Sequence, residues 1–234
     1  MRRSFHSPIL GTTERLRLHF GAVDWSCTVF VNGILVGTHA GGFDPFFFDI
    51  TDALIENEEQ EIVVSVTDPT DTGNQPVGKQ TLNPFAIQYT AVAGIWQTVW
   101  LEPVPVSCIE RSTTVTNIAE SSVSVRSHIS NASDTMSVIF TCSVNGLVLT
   151  QTESPIKQGQ TETVLNISDL RLWCPSDPFL YDLQLQLIDS SGEVVDVVES
   201  YFGAREITCE PDQSGHQRLF LNGEPVFHLG LLDQ

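Results

Sequence analysis

The sequence predicts an all-β chain of two sandwich-like domains with the start of a further element behind them, and three observations carry that prediction. Apolar and polar residues alternate with period two along most of the chain, as they do on a strand with one covered face. Asn-Gly pairs at Asn32-Gly33, Asn145-Gly146 and Asn222-Gly223 each sit between β-rich runs, where the dipeptide favours positive φ at both turn positions of a hairpin. The length, 234 residues, suits two domains of roughly 100–150 residues, each with its own core. It does not suit a (β/α)8 barrel plus anything else, because that fold alone takes about 250 residues.

In chain order, Arg15-Leu16-Arg17-Leu18-His19-Phe20 alternates cleanly and reads as a strand. Cys27-Thr28-Val29-Phe30-Val31 runs into Asn32-Gly33 and out through Ile34-Leu35-Val36. Phe46-Phe47-Phe48-Asp49-Ile50 and Glu61 to Val66 follow as strands, and Thr51-Asp52-Ala53-Leu54 between them offers an N-cap threonine ahead of a helical turn. Gln97 to Glu102 closes the set, and Pro103-Val104-Pro105 is expected to end it, since proline cannot donate to a central ladder.

The second block repeats the rhythm. Ser122 to Ile129, Met136 to Val144 and Leu147-Val148-Leu149 are strands, and Leu180 to Ile188 with Val194 to Tyr201 form a hairpin around Asp189-Ser190-Ser191-Gly192. The boundary falls near residues 104–108 and the second domain ends near 203. Glu206 to Gln234 holds a third hairpin signal, Arg218-Leu219-Phe220-Leu221 with Asn222-Gly223. The chain then stops on Leu229-Gly230-Leu231-Leu232-Asp233-Gln234 with no polar tail, which points to a cut inside an element.

Composition narrows the function. Eleven Lys+Arg against 29 Asp+Glu leave a formal charge of −18, so a nucleic-acid partner is not expected, because polyanion affinity needs clustered cations. No apolar run of about 18 residues offers a membrane span, and residues 1–20 lack an apolar leader core. The 5 cysteines are odd in number with no CxxC pair, which speaks against a disulfide framework or a zinc ribbon and makes a reducing, cytoplasmic compartment the default. The sequons Asn131-Ala132-Ser133 and Asn166-Ile167-Ser168 keep secretion open.

Motifs for chemistry are sparse. The 6 histidines form no His-x3-His pair, and there is no Gly-x-Ser-x-Gly elbow, P-loop or GxGxxG. Asp68 to Gln80 is a long polar loop between Val66 and the strand-like Phe85-Ala86-Ile87, and loops of that length are usually functional or mobile. Asp68, Asp71 and Asn74 could offer oxygens to a cation, but their spacing fits no calcium template, and Asx-turns are the plainer account. Phe43, Phe46, Phe47 and Phe48 could stack on a sugar, yet consecutive residues of a strand point both ways, so at least half belong to the core. Trp25, Trp96, Trp100 and Trp173 are expected in the core for the same bulk. Acids such as Glu56-Asn57-Glu58-Glu59 and Glu162 read as solvated turns and strand faces rather than as a glycosidase pair.

Several strings together carry a resemblance. Leu18-His19-Phe20-Gly21-Ala22-Val23-Asp24-Trp25, Val31-Asn32-Gly33 with Val36-Gly37, Gly41-Gly42-Phe43, Phe48-Asp49-Ile50-Thr51 and Ala93-Gly94-Ile95-Trp96-Gln97-Thr98-Val99-Trp100-Leu101 resemble the sugar-binding domain of glycoside hydrolase family 2. Leu172-Trp173-Cys174-Pro175 with Pro178-Phe179-Leu180-Tyr181 is similar to the signature near the end of that family's immunoglobulin-like domain. Phe202-Gly203-Ala204-Arg205-Glu206-Ile207 and Phe220-Leu221-Asn222-Gly223-Glu224-Pro225-Val226-Phe227-His228-Leu229-Gly230 resemble the exit into, and first hairpin of, its catalytic barrel.

The resemblance implies a jelly-roll-like (galactose-binding-like) β-sandwich over 1–104 lacking its first strands, an immunoglobulin-like β-sandwich over 105–203, and a stub of a TIM barrel over 204–234. It implies the non-catalytic N-terminal portion of a retaining β-galactosidase or β-glucuronidase type of enzyme. The acid/base and nucleophile glutamates would lie beyond Gln234, leaving this chain inactive alone. No cofactor and no metal are implied; the partner is a carbohydrate, with self-association of the parent enzyme open. One substrate-binding position carries over: where relatives place an acid reaching from the first domain toward the sugar, this chain has Gln88, an amide that can still hydrogen-bond a hydroxyl. That departure means sugar specificity does not transfer. Tyr89 is its expected neighbour in the cleft wall, under a loop carrying Lys79-Gln80. The negative charge suits a neutral or cationic substrate at least as well as a glucuronide. The rival reading is a stand-alone carbohydrate-binding or adhesion module.

Overall fold

Each Asn-Gly pair closes a two-residue hairpin: Val31 faces Ile34, Val144 faces Leu147 and Leu221 faces Glu224 across the turns. Asn32, Asn145 and Asn222 have φ near +50 and their glycines near +80, the conformation in which asparagine and glycine lose least. These turns belong to a computed structural model that describes residues 1–56, 58–212 and 214–231. Asn57 and the end of the chain from Leu232, parts of two sequence expectations above, lie outside the described residues.

Residues 1–104 form one unit. One sheet runs Arg2–Phe5, Gln60–Thr67, Ser26–Val31, Ile34–Ala40, antiparallel throughout. A second runs Val99–Pro105, Glu14–Phe20, Phe46–Asp49. Their inward faces meet in one core: Leu16, Leu18 and Phe20 from one sheet, Cys27, Val29, Val31 and Val64 from the other. Burying such side chains contributes about 1.5–3 kcal/mol each. The buried Gln60 is satisfied on every side: its Oε1 accepts from Asn32 Nδ2 (2.7 Å) and the Ile55 N–H (2.9 Å), and its Nε2 donates to the carbonyls of Ile55 and Glu58. The first Asn-Gly hairpin is thereby tied to the turn before Gln60–Thr67.

Three local expectations need correction. Thr51 does not cap the turn; it is the first residue of the 3-10 helix Thr51–Ala53, and Asp49 Oδ1 instead accepts from the N–H (3.0 Å) and hydroxyl (2.7 Å) of Thr51. The strand Val99–Pro105 runs through Pro103 and ends only at Pro105, because it occupies the edge of its sheet, where a missing N–H costs no ladder bond. Phe85-Ala86-Ile87 is not a strand: the Gln88 N–H bonds the Phe85 carbonyl across a turn with Ala86 at φ +50.

Residues 105–231 form the other unit. A three-stranded sheet (Cys108–Asn117, Ser122–Ser130, Gln160–Asn166) faces a four-stranded one (Leu147–Pro155, Ser137–Val144, Tyr181–Ile188, Val194–Phe202). Val123, Val125, Ile129 and Leu165 meet Val138, Phe140, Cys142, Leu183, Leu185 and Leu187 between them, the two-layer solution to two half-apolar sheets. The Ile109 N–H donates to Asp196 Oδ2 (2.8 Å) at one seam. A small sheet, Ile207–Pro211, Gln217–Leu221 and Glu224–Pro225, follows, held by Asn222, whose Nδ2 donates to the Trp173 carbonyl (3.0 Å) and whose Oδ1 accepts from the Glu206 N–H (3.0 Å). The five cysteines are free thiols.

Candidate functional site

The most structured recess in the first unit is assembled on Val23–Asp24, which pairs antiparallel with Gly94–Ile95. Asp24 faces Gly94, whose φ of +132 is open to glycine alone. The bond between Asp24 and Trp25 is a cis peptide. Gly42 lies flat against Asp24: a Cβ there would sit 2.6 Å from Asp24 Oδ1, so a larger residue would push the carboxylate out of its present place. Trp96 donates its indole N–H to the Gly42 carbonyl (2.7 Å), which fixes the ring, and Phe43 meets it edge to face, 5.7 Å between centroids at 72°. From the other side Gln80 Oε1 accepts the Val92 N–H (2.7 Å), pinning the residues before Gly94 to the long loop. The result is an open cleft of about 340 Å³ lined by Asp24, Phe43, Gln80, Val92, Gly94 and Trp96, among others.

The charge in this cleft is unusual for the chain. Burial pushes the Asp24 carboxyl above its ordinary value, and the nearby Asp68 pushes it the same way. No hydrogen bond to the Asp24 carboxylate is present among the described residues. Other acids of the loop are committed: Asp68 Oδ1 accepts the Thr70 N–H (2.9 Å) in an Asx-turn. Asp71 Oδ2 accepts the Thr81 hydroxyl (2.6 Å) and the Leu82 N–H (3.2 Å), which holds the Asp71 carboxyl below the usual range. Inside the loop the buried Gln75 donates to the Thr70 carbonyl (2.8 Å).

Gln88 and Tyr89 do not line the cleft. Tyr89 belongs to the short parallel pair Gln80–Thr81 with Tyr89–Thr90, so its backbone neighbours the cleft residue Gln80, and its side chain is exposed. Gln88, also exposed, precedes it in the turn that starts at Phe85. The structure thus sets Tyr89, with Gln88 next to it in the chain, beside the cleft residue Gln80, with the Lys79 carbonyl accepting the Tyr89 N–H (2.7 Å). The phenylalanines divide as alternation requires: Phe46 and Phe48 pack on the core, while Phe43 and Phe47 face outward.

The tryptophans depart from the sequence expectation, since none is buried in a core. Trp96 is 53% exposed over the cleft. Trp100 is exposed and stacks on His19 at 4.8 Å and 8°, with His19 Nε2 2.7 Å from Glu102 Oε2. Trp25 is half-buried. Trp173, also half-buried, lies under the Arg205 guanidinium at 4.8 Å, and its ring leaves Gly203 no space for a side chain. Asp24 is the member of the cleft that the sequence does not single out. Its only signal is a charged residue in the run Ala22-Val23-Asp24-Trp25, whose first two residues are buried.

Comparison with known proteins gives two family matches in chain order. Residues 1–96 match the model described as glycosyl hydrolase 2 galactose-binding domain-like, and residues 109–205 the model described as glycosyl hydrolases family 2. A β-galactosidase of Thermoanaerobacter pseudethanolicus is 29% identical over 226 residues, 93% of this chain and 29% of that protein. A β-glucuronidase of Paenibacillus borealis is 25% identical over 240 residues, 97% of this chain and 39% of that protein. Among solved structures, a Bifidobacterium dentium β-glucuronidase superposes with a TM-score of 0.75 at 24% identity, over 96% of this chain and 41% of that one. A Bacteroides vulgatus β-glycosidase superposes with a TM-score of 0.72 at 21% identity, over 96% and 27%. The chain therefore spans less than half the length of these relatives.

Proposed function

Since the chain belongs to glycosyl hydrolases family 2, we propose that it forms the non-catalytic, sugar-facing part of a retaining glycoside hydrolase that cleaves O-glycosyl bonds. The observation that carries this is the pairing of near-complete coverage of the chain with 29% and 39% coverage of two glycosidase relatives. The catalytic acid/base and nucleophile then lie outside these 234 residues, in a barrel for which 204–234 supplies the first hairpin. Residues 1–104 act as the sugar-binding domain and 105–203 as an immunoglobulin-like spacer. Exposed Gln88 and Tyr89, the latter beside Gln80, reach toward the sugar from the first domain, Gln88 through its amide and Tyr89 as a wall.

The test is a chimera. These 234 residues replace the matching segment of the Thermoanaerobacter pseudethanolicus β-galactosidase, and the chimera and the chain alone are assayed on aryl β-galactosides and β-glucuronides. The chain alone is expected to turn over neither, and the chimera at least one. Turnover by the isolated chain overturns the non-catalytic assignment; a folded but inert chimera favours the stand-alone binding module.

A further inference from the structure

Asp24 lines the cleft as a carboxylate with no hydrogen-bond partner among the described residues. Burial and Asp68 both disfavour its charged form, and its oxygens, half-buried at the cleft wall, are open to donors that enter the cleft. Two aromatic rings that the fold leaves uncovered stand over the same space: Phe43 at 69% exposure and Trp96 at 53%. Trp96 is nonetheless locked by its bond to the Gly42 carbonyl. A locked, exposed indole beside an unsatisfied acceptor suits a ligand with an apolar face on one side and donors on its edge. A pyranose has both, with axial C–H groups to lie on the rings and vicinal hydroxyls to donate to a carboxylate. A second negative charge does not suit the place, because Asp24 and Asp68 already repel one another there.

We propose that the cleft between Asp24, Phe43 and Trp96 is a subsite for a neutral hexopyranose, with Asp24 accepting from two vicinal hydroxyls and turning uronates away. This rests on the glycosidase reading for the class of ligand, and it separates the two kinds of relative the chain resembles by favouring a neutral glycoside over a glucuronide. Gln80, whose Oε1 accepts the Val92 N–H, lines the same cleft.

The experiment is a titration of the full 234-residue chain with methyl β-D-galactopyranoside, methyl β-D-glucopyranoside and methyl β-D-glucuronide, followed by the indole N–H resonance of Trp96 and the amide of Gly42. A neutral glycoside is expected to move both signals saturably, and the glucuronide to bind at least about tenfold more weakly. In Asp24→Asn the neutral glycoside is expected to weaken about tenfold, and the gap between the two ligand classes to close. The comparison within the unaltered chain stands even where the variant does not fold. Equal or tighter binding of the glucuronide, or no response of either signal at 100-millimolar order of glycoside, overturns the proposal. A chimera that hydrolyses glycosides while the chain shows no cleft binding defeats the subsite alone; a folded, inert chimera with saturable cleft binding defeats the hydrolase reading alone.

Discussion

Replacing Gly42 by alanine tests whether the cleft is built around the Asp24 carboxylate. The new Cβ would stand 2.6 Å from Oδ1 and 3.2 Å from Cγ of Asp24, inside any normal contact, and the Asp24 backbone is held by its pairing with Gly94. The carboxylate or the strand must shift, at the cost of overpacking a fitted place by one methyl, about 1–3 kcal/mol. In an Asp24→Ala background the colliding atoms are gone, and the same change should cost no more than about 0.5 kcal/mol. The coupling is therefore expected at about 1–2 kcal/mol. The four proteins of the cycle are compared by hydrogen exchange of the Ser26–Val31 amides and by thermal melts, where each kcal/mol is worth about 4–8 °C for a domain of this size. An equal loss from Gly42→Ala in both backgrounds would refute the packing account.

Other changes follow from the same geometry. Because burial raises the folded-state value of Asp24 above its ordinary 3.8, the folded chain holds that proton more tightly than the unfolded one, and stability is lost as pH rises through the raised value. Asp24→Asn removes that loss, so the variant should melt higher than wild type at pH 7, with the gap closing as pH falls toward 3.8. Asn222→Ala and Asn145→Ala both place alanine in a left-handed turn, a cost of about 1–2 kcal/mol. Asn222 also loses its bonds to Trp173 and Glu206, so its unfolding free energy from urea titration should fall further, by about 0.5–1.5 kcal/mol per bond. Phe140→Ala, at a fully buried position, should cost about 3–5 kcal/mol in the second unit by denaturant unfolding.

The parts of the fold legible in the sequence are those where a residue's own chemistry decides its conformation. Asn-Gly dictates its turn wherever it stands, and strands such as Glu14–Phe20 alternate because each has one covered face. What the sequence leaves open is which apolar groups a partner covers. Phe85 and Ile87 are each 71% exposed in a turn, although the run containing them has a strand's composition. Trp96 and Trp100 go outward for the same reason: Leu16, Leu18 and Phe20 with Val29 and Val31 already fill the core of their unit. The positions of Gln88 and Tyr89 beside Gln80 come from a parallel pair across eight intervening residues, which no periodicity reports.

Two polar side chains of the first unit show why Asp24 carries functional weight. Gln60 and Asp24 both sit where the apolar pattern has no place for them, and both contact a glycine-bearing turn or its neighbour. Gln60 uses its amide oxygen twice and its amide nitrogen twice, all at 2.9 Å or less, so its burial is fully explained by the fold it staples. Asp24 is partly desolvated, lies near Asp68 and has no donor among the described residues, which raises its carboxyl above the ordinary value. A carboxylate that the described residues leave without a donor, at the wall of a cleft with two uncovered aromatic rings, is placed to meet what enters the cleft. If Asp24→Asn raises the melting temperature and weakens glycoside binding in the same protein, the two effects have one origin; if it lowers the melting temperature and leaves glycoside binding unchanged, Asp24 is a structural residue like Gln60.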